Sequence, residues 1–160
     1  PKHVQQLNED NYLRWDSLGE FLALAVSLEH LADFAGNPQA KILGSCLDQA
    51  TTRFLDENKS PTRKIGGIDN RGSHFYLALY WAEAMAQQSD DSSLAMTFKA
   101  FHTALNGAEN TIVSELNSVQ GQPADTGGYY LLNQEKAARI MRPSSTLNTI
   151  IKNFHASVSE

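Results

Sequence analysis

Apolar residues recur at helical spacing along most of the chain. Between Asp10 and Gly36 they return every three or four positions, the period of an amphipathic helix. With Asp10 or Asn11 as N-cap, this pattern predicts a first long helix over about residues 11–33 that stops near Gly36. Residues 1–9 show no such period, so we predict a loop or a short extended entry there. The residues that carry the helical period are Leu13, Leu18, Phe21, Leu22, Ala25, Leu28, Leu31 and Ala32.

Two further helices are predicted up to about residue 88. Asn37 followed by Pro38 marks the start of the second, because a side-chain cap and a proline at the first helical position are both favoured there. Ser60-Pro61 ends it. After a polar loop, the nearly unbroken apolar run from Phe75 to Trp81 predicts a third helix over about residues 73–88, buried in the core.

The second half of the chain carries cap and stop signals for four more helices. Two stretches, Lys64–Ile68 and Tyr129–Leu132, are the candidates for short strands. The predicted fold class is therefore mostly α, a multi-helix domain over residues 1–160 with at most one or two short strands. The four later helices are predicted from about Ser92 to Asn106-Gly107, from Ile112 to Val119, from Asn133 to about Met141, and from Ser144 or Ser145 through Phe154.

Composition narrows the functional classes. The 160 residues suffice for one domain with a core, and a formal net charge of −5 argues against general nucleic-acid binding. The single cysteine, Cys46, excludes an internal disulfide, so we expect a reducing compartment and cytoplasmic localisation. No stretch has the apolar length of a membrane span, so we expect no membrane role.

Strict catalytic and metal-binding motifs are missing from the sequence. There is no GxGxxG, P-loop, HExxH, GxSxG or CxxC pattern. The five histidines are never four residues apart, so no histidine pair can share one helical face locally. We therefore predict neither a catalytic residue nor a metal ligand from motifs.

The basic residues are the informative set. Arg63 precedes the N-terminus of the core helix and Arg71 lies beside it, and such a helix end favours an anion. Arg14, in the first turn of the first predicted helix, would oppose the helix dipole, which invites an anionic ligand unless Asp10 or Asp16 neutralises it. For Arg71 we favour a structural pair with Asp69.

Several segments resemble a known family. PKHVQQ, YLRWDSLGEFLALA, DENKSPTRK, GGIDNRGSHFYLALYWAEAMA and MRPSSTLN are similar to the C-terminal portion of the monomeric NADP-dependent isocitrate dehydrogenases of bacteria. The resemblance implies a larger two-domain enzyme, in which this chain would be about the last fifth and part of a small α/β domain. The start at Pro1 also leads us to expect a piece of a longer polypeptide.

The resemblance implies an activity and a set of binding residues. The family oxidises and decarboxylates isocitrate to 2-oxoglutarate while reducing NADP, with magnesium or manganese. Its catalytic and metal-binding residues belong to other parts of the polypeptide, so none is assigned here. The residues implied for binding NADP, chiefly its 2′-phosphate, are Lys2 and His3 in PKHV, Arg14, Trp15 and Asp16 in YLRWDS, and Arg63 in SPTRK.

The expected partners are NADP and the remainder of the parent polypeptide. If that remainder is missing, an apolar surface is uncovered, and we expect self-association and no chemistry from the chain alone. Two alternatives stay open from the residues themselves. One is an autonomous helical module that binds a phosphorylated ligand or an acidic partner helix, and the other is a scaffold domain without a ligand.

Overall fold

The computed structural model describes residues 2–159, which are helical along most of their length and contain no β-strand. The mostly α class is therefore confirmed, and neither candidate strand forms. Lys64–Ile68 and Tyr129–Leu132 adopt turns, bends and irregular backbone instead. In chain order the helices of this described part are α1 (Lys2–Asp10), α2 (Leu18–Ala35), α3 (Pro38–Asp56), α4 (Asn70–Gln87), α5 (Ser92–Gly107), α6 (Glu109–Ser118), α7 (Gln134–Met141) and α8 (Ser145–Val158).

The N-terminal segment differs most from the prediction. The loop predicted for residues 1–9 is wrong over its described part, because Lys2–Asp10 forms α1, while Pro1 lies outside the described residues. The helix predicted to begin at residue 11 begins at Leu18. Asn11 separates the two helices with a φ of +45°, a left-handed conformation that asparagine tolerates better than most residues.

Contacts divide the chain into two units, and each is described by itself. The first unit comprises the described residues of Pro1–Trp15, Ser60–Ser73 and Ala108–Glu160. The second comprises Asp16–Lys59 and His74–Gly107. That residues 1–160 form one domain stays a prediction.

The second unit is built around the antiparallel pair α2 and α3. Gly36 ends α2 with a φ of +61°, and its N–H donates to the carbonyl of Ala32, a helix ending that a residue with a side chain adopts only under strain. The side chain of Asn37 then accepts from two backbone N–H groups at the start of α3. Phe21 of α2 meets Phe54 of α3 edge to face, with ring centroids 5.7 Å apart. The predicted stop and cap are both confirmed.

The second unit also contains the apolar helix α4 from His74 onward, together with α5. Phe75, Leu79 and Met85 of α4 are almost completely buried, which confirms its prediction as a core helix. Asp91 caps α5 by accepting from the backbone N–H groups of its first turn.

The first unit contains α1, the start of α4, and α6 to α8. Asn133 caps α7 and Ser144 caps α8, as predicted, and α8 continues to Val158, beyond its predicted end. Glu115 of α6 accepts hydrogen bonds from the Ser144 hydroxyl at 2.6 Å and from the Thr146 hydroxyl at 2.8 Å. This carboxylate therefore fixes the start of α8 against α6.

Among the helices of residues 2–159, none combines the length and apolar character that a bilayer crossing requires.

Candidate functional site

Tyr12 joins two segments of the first unit that carry predicted site residues. We call residues 11–15 the Arg14 loop and residues 60–69 the Arg63 loop. The Tyr12 side chain is fully buried, and its hydroxyl oxygen lies 2.6 Å from Thr62 Oγ1 and 2.8 Å from the carbonyl oxygen of Ile68. Burial raises the pKa of Tyr12 above its ordinary value, so the hydroxyl remains a hydrogen-bond donor at neutral pH. The residue next to Arg63 is thus tied to the loop that holds Arg14.

The start of α4 holds the backbone on both sides of Arg14. The Asn70 backbone N–H donates to the carbonyl of Leu13 at 2.8 Å, and its side-chain Nδ2 donates to the carbonyl of Trp15 at 2.9 Å. Asn70 is itself buried. Because buried hydrogen bonds are costly to break, the backbone of the Arg14 loop is well fixed.

A buried ion pair lies beneath this arrangement. The Arg71 guanidinium donates to Asp69 Oδ2 at 2.5 and 2.8 Å, to both oxygens of Asn11 at 2.6 and 2.9 Å, and to the carbonyl of Ile140 at 2.7 Å. The predicted structural pair of Arg71 with Asp69 is confirmed. The other oxygen of Asp69 accepts from the backbone N–H groups of Arg71 and Gly72. The anion expected at this helix N-terminus is therefore a carboxylate of the chain itself.

Arg14 and Arg63 differ from Arg71 in having no hydrogen-bond or ion-pair partner among residues 2–159. Within residues 2–159, neither forms a hydrogen bond or an ion pair; Arg14 is half-buried and Arg63 is exposed. The alternative that Asp10 or Asp16 neutralises Arg14 in an ion pair is therefore wrong. Asp16 instead accepts a hydrogen bond from the backbone N–H of Leu18. The predicted conflict of Arg14 with a helix dipole is also wrong, because Arg14 lies in a loop. Both guanidinium groups are available to an external anion.

The N-terminus of α1 meets the Arg14 loop through an aromatic contact. The rings of His3 and Trp15 lie edge to face, with centroids 5.7 Å apart. His3 Nδ1 is buried and has no hydrogen-bond partner among residues 2–159, whereas Trp15 is 49% exposed. Lys2, one residue before His3, is exposed at the start of α1 and forms no ion pair within the described chain. This contact brings the predicted Lys2-His3 pair to the same loop as Arg14.

One cavity of the first unit includes a predicted site residue, Lys2. This cavity, of about 540 Å³, is lined by Lys2, Gln5, Asn8, Glu9 and Tyr129. Another, of about 670 Å³, is lined by Ala138, Arg139, Arg142, Asn148, Ile151, Lys152 and His155. In the part of the chain that the structure describes, no group of three or more histidine, cysteine, aspartate or glutamate side chains is placed to hold a metal ion.

Of the predicted residues, His3 and Trp15 are in direct contact. Lys2 and Arg14 are their neighbours in sequence. Arg63 follows Thr62, which is hydrogen-bonded to Tyr12 of the Arg14 loop. Asp16 belongs to the other unit, where its side chain accepts a hydrogen bond from the backbone N–H of Leu18, the first residue of α2. Sequence reasoning missed the positioning residues Tyr12, Thr62 and Asn70. Only Asn70 gave a signal, as part of the polar loop before the core helix.

Comparisons with known proteins place this chain in a family. The model of the monomeric isocitrate dehydrogenase family matches residues 1–152. Isocitrate dehydrogenase (NADP) 2 of Colwellia maris and isocitrate dehydrogenase (NADP) of Azotobacter vinelandii are each 57% identical over 151 residues, or 94% of this chain and 20% of the relative. Isocitrate dehydrogenase (NADP) 2 of Mycobacterium tuberculosis is 51% identical over 152 residues, again 20% of its length. The chain thus spans about a fifth of the length of these relatives, and it belongs to the monomeric isocitrate dehydrogenase family.

Proposed function

We propose that this chain forms the part of an NADP-dependent isocitrate dehydrogenase that recognises the 2′-phosphate of NADP. It would be the C-terminal portion of a longer, monomeric, cytoplasmic polypeptide, here called the parent polypeptide. Its relatives' names supply the cofactor and the substrate. The observation that carries the proposal is the hydrogen bond between Tyr12 and Thr62, which holds the Arg14 loop and the Arg63 loop together. Neither arginine forms an ion pair in the part of the chain that the structure describes.

The chemistry of these side chains suits a phosphate monoester. The 2′-phosphate approaches a dianion at neutral pH, and a guanidinium group can donate two parallel hydrogen bonds to it. Among the described residues 2–159, no carboxylate is paired with Arg14 or Arg63, so neither has to give up such a partner before it binds the phosphate. Lys2 adds a third cation, while His3 and Trp15 supply ring surfaces beside the phosphate. NAD lacks the 2′-phosphate, so these contacts would provide selectivity for NADP.

The chemical step belongs to the rest of the parent polypeptide. As the family resemblance implies, magnesium or manganese would be held by residues outside this chain. Residues 2–159 present no group of three or more candidate metal ligands. When bound in the parent polypeptide, the metal would act as a Lewis acid toward the substrate. The 160-residue chain by itself should not reduce NADP in the presence of isocitrate, and its partners are the parent polypeptide and the cofactor.

Calorimetric titration of the parent polypeptide tests the proposal. Arg14→Ala and Arg63→Ala should each weaken NADP binding by about 1.5–3 kcal/mol, the scale of a hydrogen bond to a charged group, and leave NAD binding nearly unchanged. Arg139→Ala is the matched control, because Arg139 lies on the exposed surface of α7 and pairs with Glu135. Equal losses toward NADP and NAD would mean that these arginines do not read the 2′-phosphate.

Titration of the 160-residue chain separates the proposal from a general phosphate-binding module. Adenosine 2′,5′-bisphosphate should bind more tightly than adenosine 5′-phosphate, because only the former carries the 2′-phosphate. Equal affinity for the two, with both weakened by Arg14→Ala, would favour a module without selectivity for NADP.

A further inference from the structure

We infer that one face of α2 is the surface on which the remainder of the parent polypeptide docks. This α2 outer face consists of Leu24, Ser27, Leu31 and Phe34. Its three apolar members are 43%, 45% and 84% exposed, respectively. The inference rests on the proposed function, because it requires that a longer polypeptide exists.

The four residues of the α2 outer face form one stripe. Their spacing of three, four and three residues keeps them on one side of a helix with 3.6 residues per turn. The side of α2 that is buried in the second unit is a different one, formed by Phe21, Ala25 and Ala32. An apolar stripe on a helix surface is the usual docking pattern for another apolar element.

Polar groups on this stripe are already satisfied within the helix. The Ser27 hydroxyl donates to the carbonyl of Ala23 at 2.7 Å, so it requires no external partner. The His30 ring stacks on the Phe34 ring, with centroids 6.0 Å apart and planes 27° apart, and thereby widens the flat surface. A partner can therefore cover the stripe without stranding a buried hydroxyl.

The charges of this part of α2 lie on the opposite flank. Successive helical residues are 100° apart, which places Glu29 and Asp33 on the same side as Leu22. From Ala23 to Ala35 the α2 outer face thus carries no charged side chain. The partner that fits it is an uncharged, apolar surface.

The family points to the occupant of this face. Its members are described as monomeric, and this chain spans only 20% of the length of the relatives named above. A second copy would make a dimer, which disagrees with that description. The remaining four fifths of the same polypeptide are therefore the partner, and they would contribute an apolar element to the contact.

Cysteine footprinting tests this docking surface. Leu31→Cys and Phe34→Cys are the test variants, and Leu22→Cys is the control, because Leu22 is 44% exposed, almost the same as Leu31, but lies on the charged flank. Cys46 is the only cysteine of the 160-residue chain and is buried. Maleimide labelling, located by peptide mass spectrometry, is measured in the 160-residue chain and in the parent polypeptide.

In the 160-residue chain Leu31→Cys and Leu22→Cys should react at similar rates, and the more exposed Phe34→Cys at least as fast. In the parent polypeptide the two test variants should react about 100-fold more slowly, as expected for a site exposed only by local opening, while Leu22→Cys keeps its rate. Unchanged rates at Leu31→Cys and Phe34→Cys would overturn the proposal, and protection of all three would overturn its assignment to one face. Protection that grows with protein concentration would instead favour a second copy as the occupant.

This result is independent of cofactor selectivity. If the test variants remain reactive while Arg14→Ala still removes the preference for NADP, the docking surface is wrong and the proposed function stands. If they are protected while Arg14→Ala affects NADP and NAD equally, the docking surface stands and the phosphate site is wrong.

Discussion

The buried pair of Arg71 and Asp69 gives the sharpest stability prediction, for the substitution Arg71→Met. The two side chains are only 2% and 1% exposed. Methionine preserves much of the aliphatic volume but removes every donor to Asp69 Oδ2, to Asn11 and to the carbonyl of Ile140. Breaking a buried ion pair by removing one partner costs about 3–5 kcal/mol, because the other charge stays buried. We expect that range and not more, since the backbone N–H groups of Arg71 and Gly72 still reach Asp69 Oδ1.

Urea unfolding at neutral pH, followed by circular dichroism, measures this loss. Arg139→Met is the control, because its pair with Glu135 spans 3.7 Å between side chains that are 80% and 85% exposed, and exposed pairs contribute about 0–1 kcal/mol. The double variant Asp69→Asn with Arg71→Met should lose less than the sum of the single variants, because it leaves no unpaired charge. A loss below about 1 kcal/mol for Arg71→Met would refute the reasoning, since it would mean that Asp69 does not depend on this partner.

Two other stability predictions concern the first unit. Hydrogen bonds, first of all from Ser144, lower the pKa of Glu115 in the folded chain. The ionised Glu115 carboxylate therefore stabilises the fold above the pKa of about 4.3 that it has in the unfolded chain, and this stabilisation is lost as the pH falls through the folded pKa. Glu115→Gln should therefore flatten the decline of the free energy of unfolding between about pH 5 and pH 3, and an unchanged slope would contradict this. Gly127→Ala should cost more than about 1 kcal/mol in thermal unfolding, because the residue has a φ of +74° and the new Cβ would lie 2.5 Å from Asn133 Cβ. Gly19→Ala, in α2 with no atom within 4 Å of the new Cβ, is the control and should be neutral or stabilising.

The helix starts that could be predicted depend on local chemistry. At Asn37, Asp91, Asn133 and Ser144, a side chain accepts a backbone N–H two or three residues ahead. Such a bond needs nothing from the rest of the chain, so its signal is fully present in the local sequence. The Asp69–Arg71 pair was predictable for the same reason, since its members are two residues apart.

The N-terminal segment could not be predicted, because a distant contact decides it. Leu13 and Leu18 extend the helical period of α2, and the period predicts a continuous helix there. The structure instead buries Tyr12 against Thr62 and Ile68, 50 and 56 residues away, and the backbone leaves the helical path to allow this. Tertiary hydrogen bonds and burial thus outweigh a local preference of a few tenths of a kcal/mol per residue.

The candidate site was predictable only in part. The basic residues were visible in the sequence, but the grouping of Lys2, His3, Arg14 and Arg63 came from family resemblance. No local rule connects Arg14 with Arg63, and their loops are joined by a hydrogen bond between Tyr12 and Thr62 that spans 50 residues of sequence. The structure supplies a physical link between the two loops, which the resemblance does not give.

A crystal structure of the parent polypeptide with NADP bound tests the central claim most directly. The account predicts guanidinium nitrogens of Arg14 and Arg63 at about 3 Å from oxygens of the 2′-phosphate, with His3 and Trp15 beside it. A 2′-phosphate held by other residues, with both guanidinium groups facing solvent, would contradict it.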